Sequence, residues 1–157
     1  MRKRLITSIS QSASPGDQGW LDVESIAVVE VTSEDEDYPI DSVLRAGEKR
    51  GWRAGKPGKQ TIRLIFDEPQ RLKRLWLVFE ETENRRTQEF ILRWSSDGGQ
   101  TSREIVRQQW TFSPPGTVRE TEVYVTDLSN VTVLELVIVP DISGGEARAS
   151  LLSMRLQ

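Results

Sequence analysis

The stretch Phe90-Ile91-Leu92-Arg93-Trp94-Ser95-Ser96-Asp97-Gly98-Gly99 decides the fold class. Phe90, Leu92 and Trp94 alternate with the intervening positions, the period of two that a strand shows when one face is buried. These three side chains are therefore expected to be buried together. The strand ends in Ser-Ser-Asp-Gly-Gly, where Asp and Gly supply turn conformations. Outward from this segment, short runs rich in Val, Ile, Leu and aromatics recur at 26–31, 61–66, 74–80, 104–112, 121–126, 131–139 and 147–156. Gly, Pro, Asp and Asn separate them, and Pro69 reads as a turn because proline cannot donate within a central strand. No amphipathic pattern of helical length occurs, and residues 41–45 offer one helical turn. The pattern predicts an all-β chain, an antiparallel β-sandwich of about eight strands with at most short helical turns.

At 157 residues the chain is long enough for one sandwich core without disulfides or metal. Its 36% hydrophobic and 29% charged residues are those of a globular chain. No apolar run approaches the roughly 20 residues that cross a bilayer. Arg2, Lys3 and Arg4 resemble the charged start of a signal peptide, but Leu5-Ile6 is too short an apolar core, so a cytoplasmic location is expected. The absence of cysteine fits a reducing compartment. With neither histidine nor cysteine, Ser-His-Asp and Cys-His catalysis and thiolate or imidazole zinc ligation are excluded. Carboxylates remain for glycoside hydrolysis, yet most lie in polar runs that read as solvated surface. The chain is expected not to be an enzyme. A net charge of −3 argues against a nucleic-acid partner.

The aromatic-x-apolar-x-aromatic-Ser-x-Asp-Gly pattern of residues 90–98 resembles the strand-turn of discoidin domains, also called coagulation-factor C-type domains, of the galactose-binding-domain-like superfamily. The flanks follow the same order: Val31-Thr32-Ser33, then Tyr38-Pro39-Ile40-Asp41-Ser42-Val43-Leu44, Ala46-Gly47, and Gly51-Trp52-Arg53-Ala54. Strands at 60–67 and 75–79 follow, and 134–139 and 149–156 resemble the last two. The resemblance covers residues 21–157 and implies a jelly-roll sandwich that serves as a binding module, with the carbohydrate-binding members foremost. Residues 1–20 are left as an N-terminal arm or an added edge strand at 4–10.

The resemblance implies a binding surface in loops at one end of the sandwich, here 33–39 and 81–87. Their tips carry carboxylates and arginines, which disfavours anionic lipid and hence a membrane partner. Arg85 and Arg86 offer forked donors, Asn84 offers donor and acceptor, and Glu83 accepts from hydroxyls. Tyr38 and Arg53 add a stacking face and further donors. Alternation back from Phe90 aims Arg86 into the space between the loops. The plainer alternative is that these charges form a solvated ion-pair network worth about 0–1 kcal/mol per pair. Among the tryptophans, Trp52 and Trp94 read as core, and Trp20, flanked by Gly19 and Asp22, is the candidate exposed aromatic for a ligand.

Carbohydrate-binding relatives implied by the resemblance carry calcium, with an aspartate before the glycine ahead of the tryptophan and a glutamate in the last strand. Ala46 and a position near Ser153 stand there instead, so calcium is disfavoured, with Glu48 or the run Asp35–Asp37 as a weaker alternative. No other cofactor is expected. The leading expectation is a non-catalytic module whose partner is a carbohydrate. The alternative is an intracellular protein–protein interaction or scaffold domain of the same fold.

Overall fold

The computed structural model describes residues 19–45, 47 and 50–157. Residues 1–18 of the expected arm at 1–20, together with Ala46 and Glu48, lie outside these residues. In chain order the elements are α1 (Val23–Ile26), β1 (Ala27–Val31), α2 (Asp41–Leu44), β2 (Trp52–Arg53), β3 (Gln60–Glu80), β4 (Arg86–Ser95), β5 (Arg103–Phe112), β6 (Arg119–Val139), β7 (Ser150–Leu151) and β8 (Ser153–Leu156). All strand pairs are antiparallel. The order is β1-β3-β6-β4-β5, with β8 also on β3 and a separate β2–β7 pair.

Two long strands make the sandwich. The first part of β3 pairs β1 and the end of β6, which also pairs β4. The second part of β3 pairs β8 and the beginning of β6. Between these parts the β3–β6 register shifts repeatedly, from Ile65 to Arg74, and the sheet folds over onto itself. Pro69 lies inside this irregularity, so β3 runs through it, and the expected turn is instead a bulged bend. A proline is tolerated there because the interrupted ladder does not need its missing N–H. On β6 the matching irregularity carries Asn130 at φ 58°, a left-handed conformation that asparagine adopts more readily than most residues. The runs expected separately at 61–66 and 74–80, and at 121–126 and 131–139, are thus single bent strands.

The core lies between the two layers. Phe79 of β3 stacks on Phe90 of β4 with ring centroids 5.1 Å apart, and Tyr124 of β6 meets the Phe90 ring edge-on at 6.5 Å. Leu64, Leu77, Leu92, Leu134 and Leu136 are fully enclosed around them. Phe90 and Leu92 are buried as the alternation predicts, whereas Trp94 is half-buried. It stands next to the end of β4, with one side against the core and Arg103 5.9 Å above its ring. Trp52 is buried, and its indole N–H donates to the Ser33 carbonyl, fixing the start of the 33–39 loop. The turn after β4 is held by Asp97, which accepts from Ser95 Oγ (2.6 Å) and from the Thr101 hydroxyl and amide. Gly98 and Gly99 complete it at φ 74° and 97°, where a side chain would be strained.

Candidate functional site

Three segments meet at one end of the sandwich: the β3–β4 connection, the β6–β7 connection and the end of β2. They enclose a cavity of about 270 Å³ lined by residues 80–84, by Glu146, Ala147, Arg148 and Ser150, and by Arg53. Arg53 reaches it because β2 pairs with β7, with Arg53 opposite Ser150. Behind it the 33–39 loop is tied to the same strand: the Arg53 amide donates to the Tyr38 carbonyl, and the Asp35 amide donates to the Arg53 carbonyl. The Arg53 guanidinium lies over the Tyr38 ring at 4.7 Å, a cation–π contact that holds it flat. The close passage of the two segments depends on Gly55. A Cβ there would stand 2.9 Å from the Glu34 carbonyl oxygen.

The 81–84 loop owes its shape to Glu81 and Arg86. Glu81 accepts from the backbone amides of Glu83 and Asn84 through Oε2 and from Arg86 Nε through Oε1 at 2.8 Å. Burial alone would raise the Glu81 carboxyl, but the Arg86 hydrogen bond and the two amides outweigh it, and its pKa falls below the ordinary value. Arg86 is itself only 4% exposed. Its Nη1 donates to the Pro140 carbonyl (2.8 Å) and to Gln88 (3.3 Å), and its guanidinium covers the Phe112 ring at 4.9 Å. It joins the 81–84 loop to the start of the β6–β7 connection from within. Alternation from Phe90 therefore holds back to Arg86, but the direction it specifies is the interior of the sandwich.

The expected site residues thus divide. Arg53, Glu83 and Asn84 line the cavity, and Tyr38 lies beneath Arg53. Arg86 is an internal tie. Arg85 is exposed and donates to Ser113 Oγ at 3.0 Å, away from the lining. Trp20 is half-buried beside Leu21, whose amide donates to the Leu156 carbonyl. That places it near residues 73–74, which bond Gln157, several strand residues from the cavity end of β3. Glu146 and Arg148 belong to the lining and were not foreseen. The sequence signal for them is Glu-Ala-Arg after Gly144-Gly145, leading into buried Ala149. Among the described residues no three acidic side chains come together as a metal cluster.

Within the lining, Glu80 pairs with Arg119 at 2.7 Å and Glu81 with Arg86. Among the described residues, Glu83, Asn84, Glu146, Arg53 and Arg148 have no side-chain hydrogen bond or ion pair. Donors and acceptors therefore stand in one cavity without satisfying each other. A larger concavity of about 380 Å³ lies on the outer face of β1, β3, β6 and β4. Its Arg63 is engaged with both Glu135 (2.8 Å) and Glu30 (3.1 Å).

No family model matches the sequence, and no curated protein matches it by sequence. By structure it is similar to the family 32 carbohydrate-binding module of C. perfringens NanJ in complex with galactose, at TM-score 0.64 and 10% identity, over 87% of this chain and 96% of that one. It is also similar to a family 32 module from a family 31 glycoside hydrolase of Clostridium perfringens, at TM-score 0.65 and 15% identity, over 90% and 96% of the two chains. The family 32 module of AlyQ in complex with 4,5-unsaturated mannuronic acid gives 0.61 and 16%, over 84% and 95%. The chain shares the β-sandwich fold of these modules.

Proposed function

We propose that the chain is a non-catalytic carbohydrate-binding module whose ligand sits in the cavity between the β3–β4 and β6–β7 connections. The observation that carries this reading is the set of side chains there that, among the described residues, have no hydrogen-bond or ion-pair partner: Arg53 and Arg148 as donors, Glu83 and Glu146 as acceptors, Asn84 as both. A sugar ring presents hydroxyls that donate and accept in alternation, so one ring satisfies both kinds of group. The three solved carbohydrate-binding modules of the same fold support the reading, and the lack of histidine and cysteine supports a non-catalytic role. A protein-docking role has a separate support: Val123 and Val125 are exposed on one face of β6, 47% and 77% accessible.

A glycan array followed by calorimetric titration tests the proposal. Asn84→Ala and Glu146→Gln should each weaken a glycan hit without moving the melting temperature. Array silence, with a partner lost on Val125→Asp, would favour docking instead.

A further inference from the structure

We propose that Glu120, buried between the layers, is a positioning residue for the cavity: through Gln88, Arg86 and Glu81 it sets the 81–84 loop, so that loss of its proton weakens glycan binding. The proposal rests on the carbohydrate reading and adds to it a control from inside the sandwich.

The contacts form one line. Gln88 of β4 is fully enclosed, and its amide faces two ways. Its Nε2 donates to Glu120 Oε1 at 3.3 Å, and its Oε1 accepts from Arg86 Nη1 at 3.3 Å. Arg86 Nε donates to Glu81 Oε1 at 2.8 Å, and Glu81 Oε2 accepts from the amides of Glu83 and Asn84. Glu83 and Asn84 line the cavity. An interior carboxyl is thus joined by side chains to the backbone that presents two ligand groups.

The surroundings of Glu120 favour its neutral form. Its Oε2 is enclosed and receives no hydrogen bond from the described residues, which suits an oxygen that carries the proton. Glu122, two residues along on the same strand, can accept that proton in a hydrogen bond. Burial first, then Glu122, raise the Glu120 pKa. Tyr124 follows on β6, Phe79 stands opposite Glu120 on β3, and Trp110 of β5 stands opposite Gln88. Arg86 is the cation whose charge reaches Glu120, and it also acts on Glu81 and Asp141. While Glu120 is neutral, that charge is left to Glu81 and Asp141. An ionised Glu120 competes for it where little water screens the attraction. The Glu81 bond then weakens, and with it the hold on the Glu83 and Asn84 amides.

The first measurement needs no glycan. In amide NMR spectra of the full chain, Glu83 and Asn84 should titrate with a midpoint above the ordinary carboxylate range. Glu120→Gln keeps an acceptor for Gln88 and cannot ionise, so it should abolish that titration. Glu122→Gln should move the midpoint down, because a neutral neighbour makes Glu120 easier to ionise. The second measurement is calorimetric titration of the strongest-binding oligosaccharide of a glycan array. The parent should lose about threefold or more in affinity as pH rises through the same midpoint, and Glu120→Gln should not. Amides that ignore pH above the acid range, or titrate equally in Glu120→Gln, would overturn the proposal and leave the carbohydrate reading standing. Titrating amides with a glycan affinity independent of pH would overturn the control of binding. Silence on the array would overturn the carbohydrate reading, and the amides alone would then decide whether Glu120 sets the loop.

Discussion

The Arg86 guanidinium is enclosed between the sheets with its Nε 2.8 Å from Glu81 Oε1, so the one loop arginine that strand alternation singles out is an anchor of the loop. Removing one partner of an enclosed pair leaves the other uncompensated, at a cost of about 3–5 kcal/mol. Arg86→Ala should lose stability of that order in urea unfolding and loosen the 81–84 loop. Arg85→Ala, at an exposed site with one hydroxyl partner, should stay within about 0.5 kcal/mol of the parent. Equal effects of the two substitutions would contradict this division.

Glu81 and Glu120 should act on stability with opposite pH signs. The folded-state pKa of Glu81 is lowered from 4.5, so its contribution is present above that value and is lost as pH falls through the lower folded value. Glu120 is 1% exposed, and burial, then the neighbouring Glu122, raise its pKa. The folded state therefore holds a proton that the unfolded chain releases, and stability declines as pH rises above 4.5. Glu120→Gln keeps an oxygen for the Gln88 amide to donate to and removes the ionisation. Its stability relative to the parent should rise steadily from pH 4 towards pH 8 in parallel urea titrations. A difference independent of pH would count against the neutral carboxyl.

Asp97 should remain ionised further into acid than any ordinary aspartate. The Ser95 hydroxyl, then the Thr101 hydroxyl and amide, lower its pKa from 3.8 to about 2. The support it gives the turn is present above 3.8 and is lost as pH falls through about 2. Carboxyl carbon resonances followed by NMR should show its midpoint near that value, and Ser95→Ala should move it upward. A midpoint at the ordinary value would show that the turn's hydrogen bonds do not persist in solution.

Phe90→Ala should cost about 3–5 kcal/mol, because its ring is enclosed and stacked on Phe79, and the layers would not close over the space. Urea unfolding of the variant checks it.

The sequence was most legible where side-chain period is the only variable. Phe90 and Leu92, and likewise Leu134, Leu136 and Ile138, fall at every second position and are fully buried, because a strand has two sides and alternation keeps one set of side chains on the core face. Strand continuity was not legible: a proline or a Ser-Asn pair ends a strand or bends it, and only the partner strand decides which. The site shows the same limit. Arg53, Glu83 and Asn84 were found because their loops are polar tips of adjacent strands. Glu146 and Arg148 were not, because their arrival depends on the β2–β7 pairing, which two-residue strands do not announce. Periodicity placed Arg86 on the inward face; whether an inward arginine meets ligand or a partner carboxylate depends on Glu81, five residues earlier.

Gly55 offers a last test, of whether the loop behind Arg53 is built by close approach. Its amide donates to Ser33 Oγ, and an added Cβ would meet the Glu34 carbonyl oxygen at 2.9 Å and its carbon at 3.2 Å. Both obstacles are backbone, so a rotamer change cannot relieve them. Gly55→Ala should therefore push the 33–39 segment outward, at a cost of about 1–3 kcal/mol, the range for overpacking a close contact. The consequence reaches the cavity, since Tyr38 rides on that segment and supports the Arg53 guanidinium. Amide exchange at Asp35, which donates to the Arg53 carbonyl, should quicken in the variant, while amides in β4 and β6 keep their order of protection. Glycan affinity should fall alongside. A variant with parental stability and unchanged Asp35 exchange would show that the loop yields freely and that Arg53 is not held in place from behind.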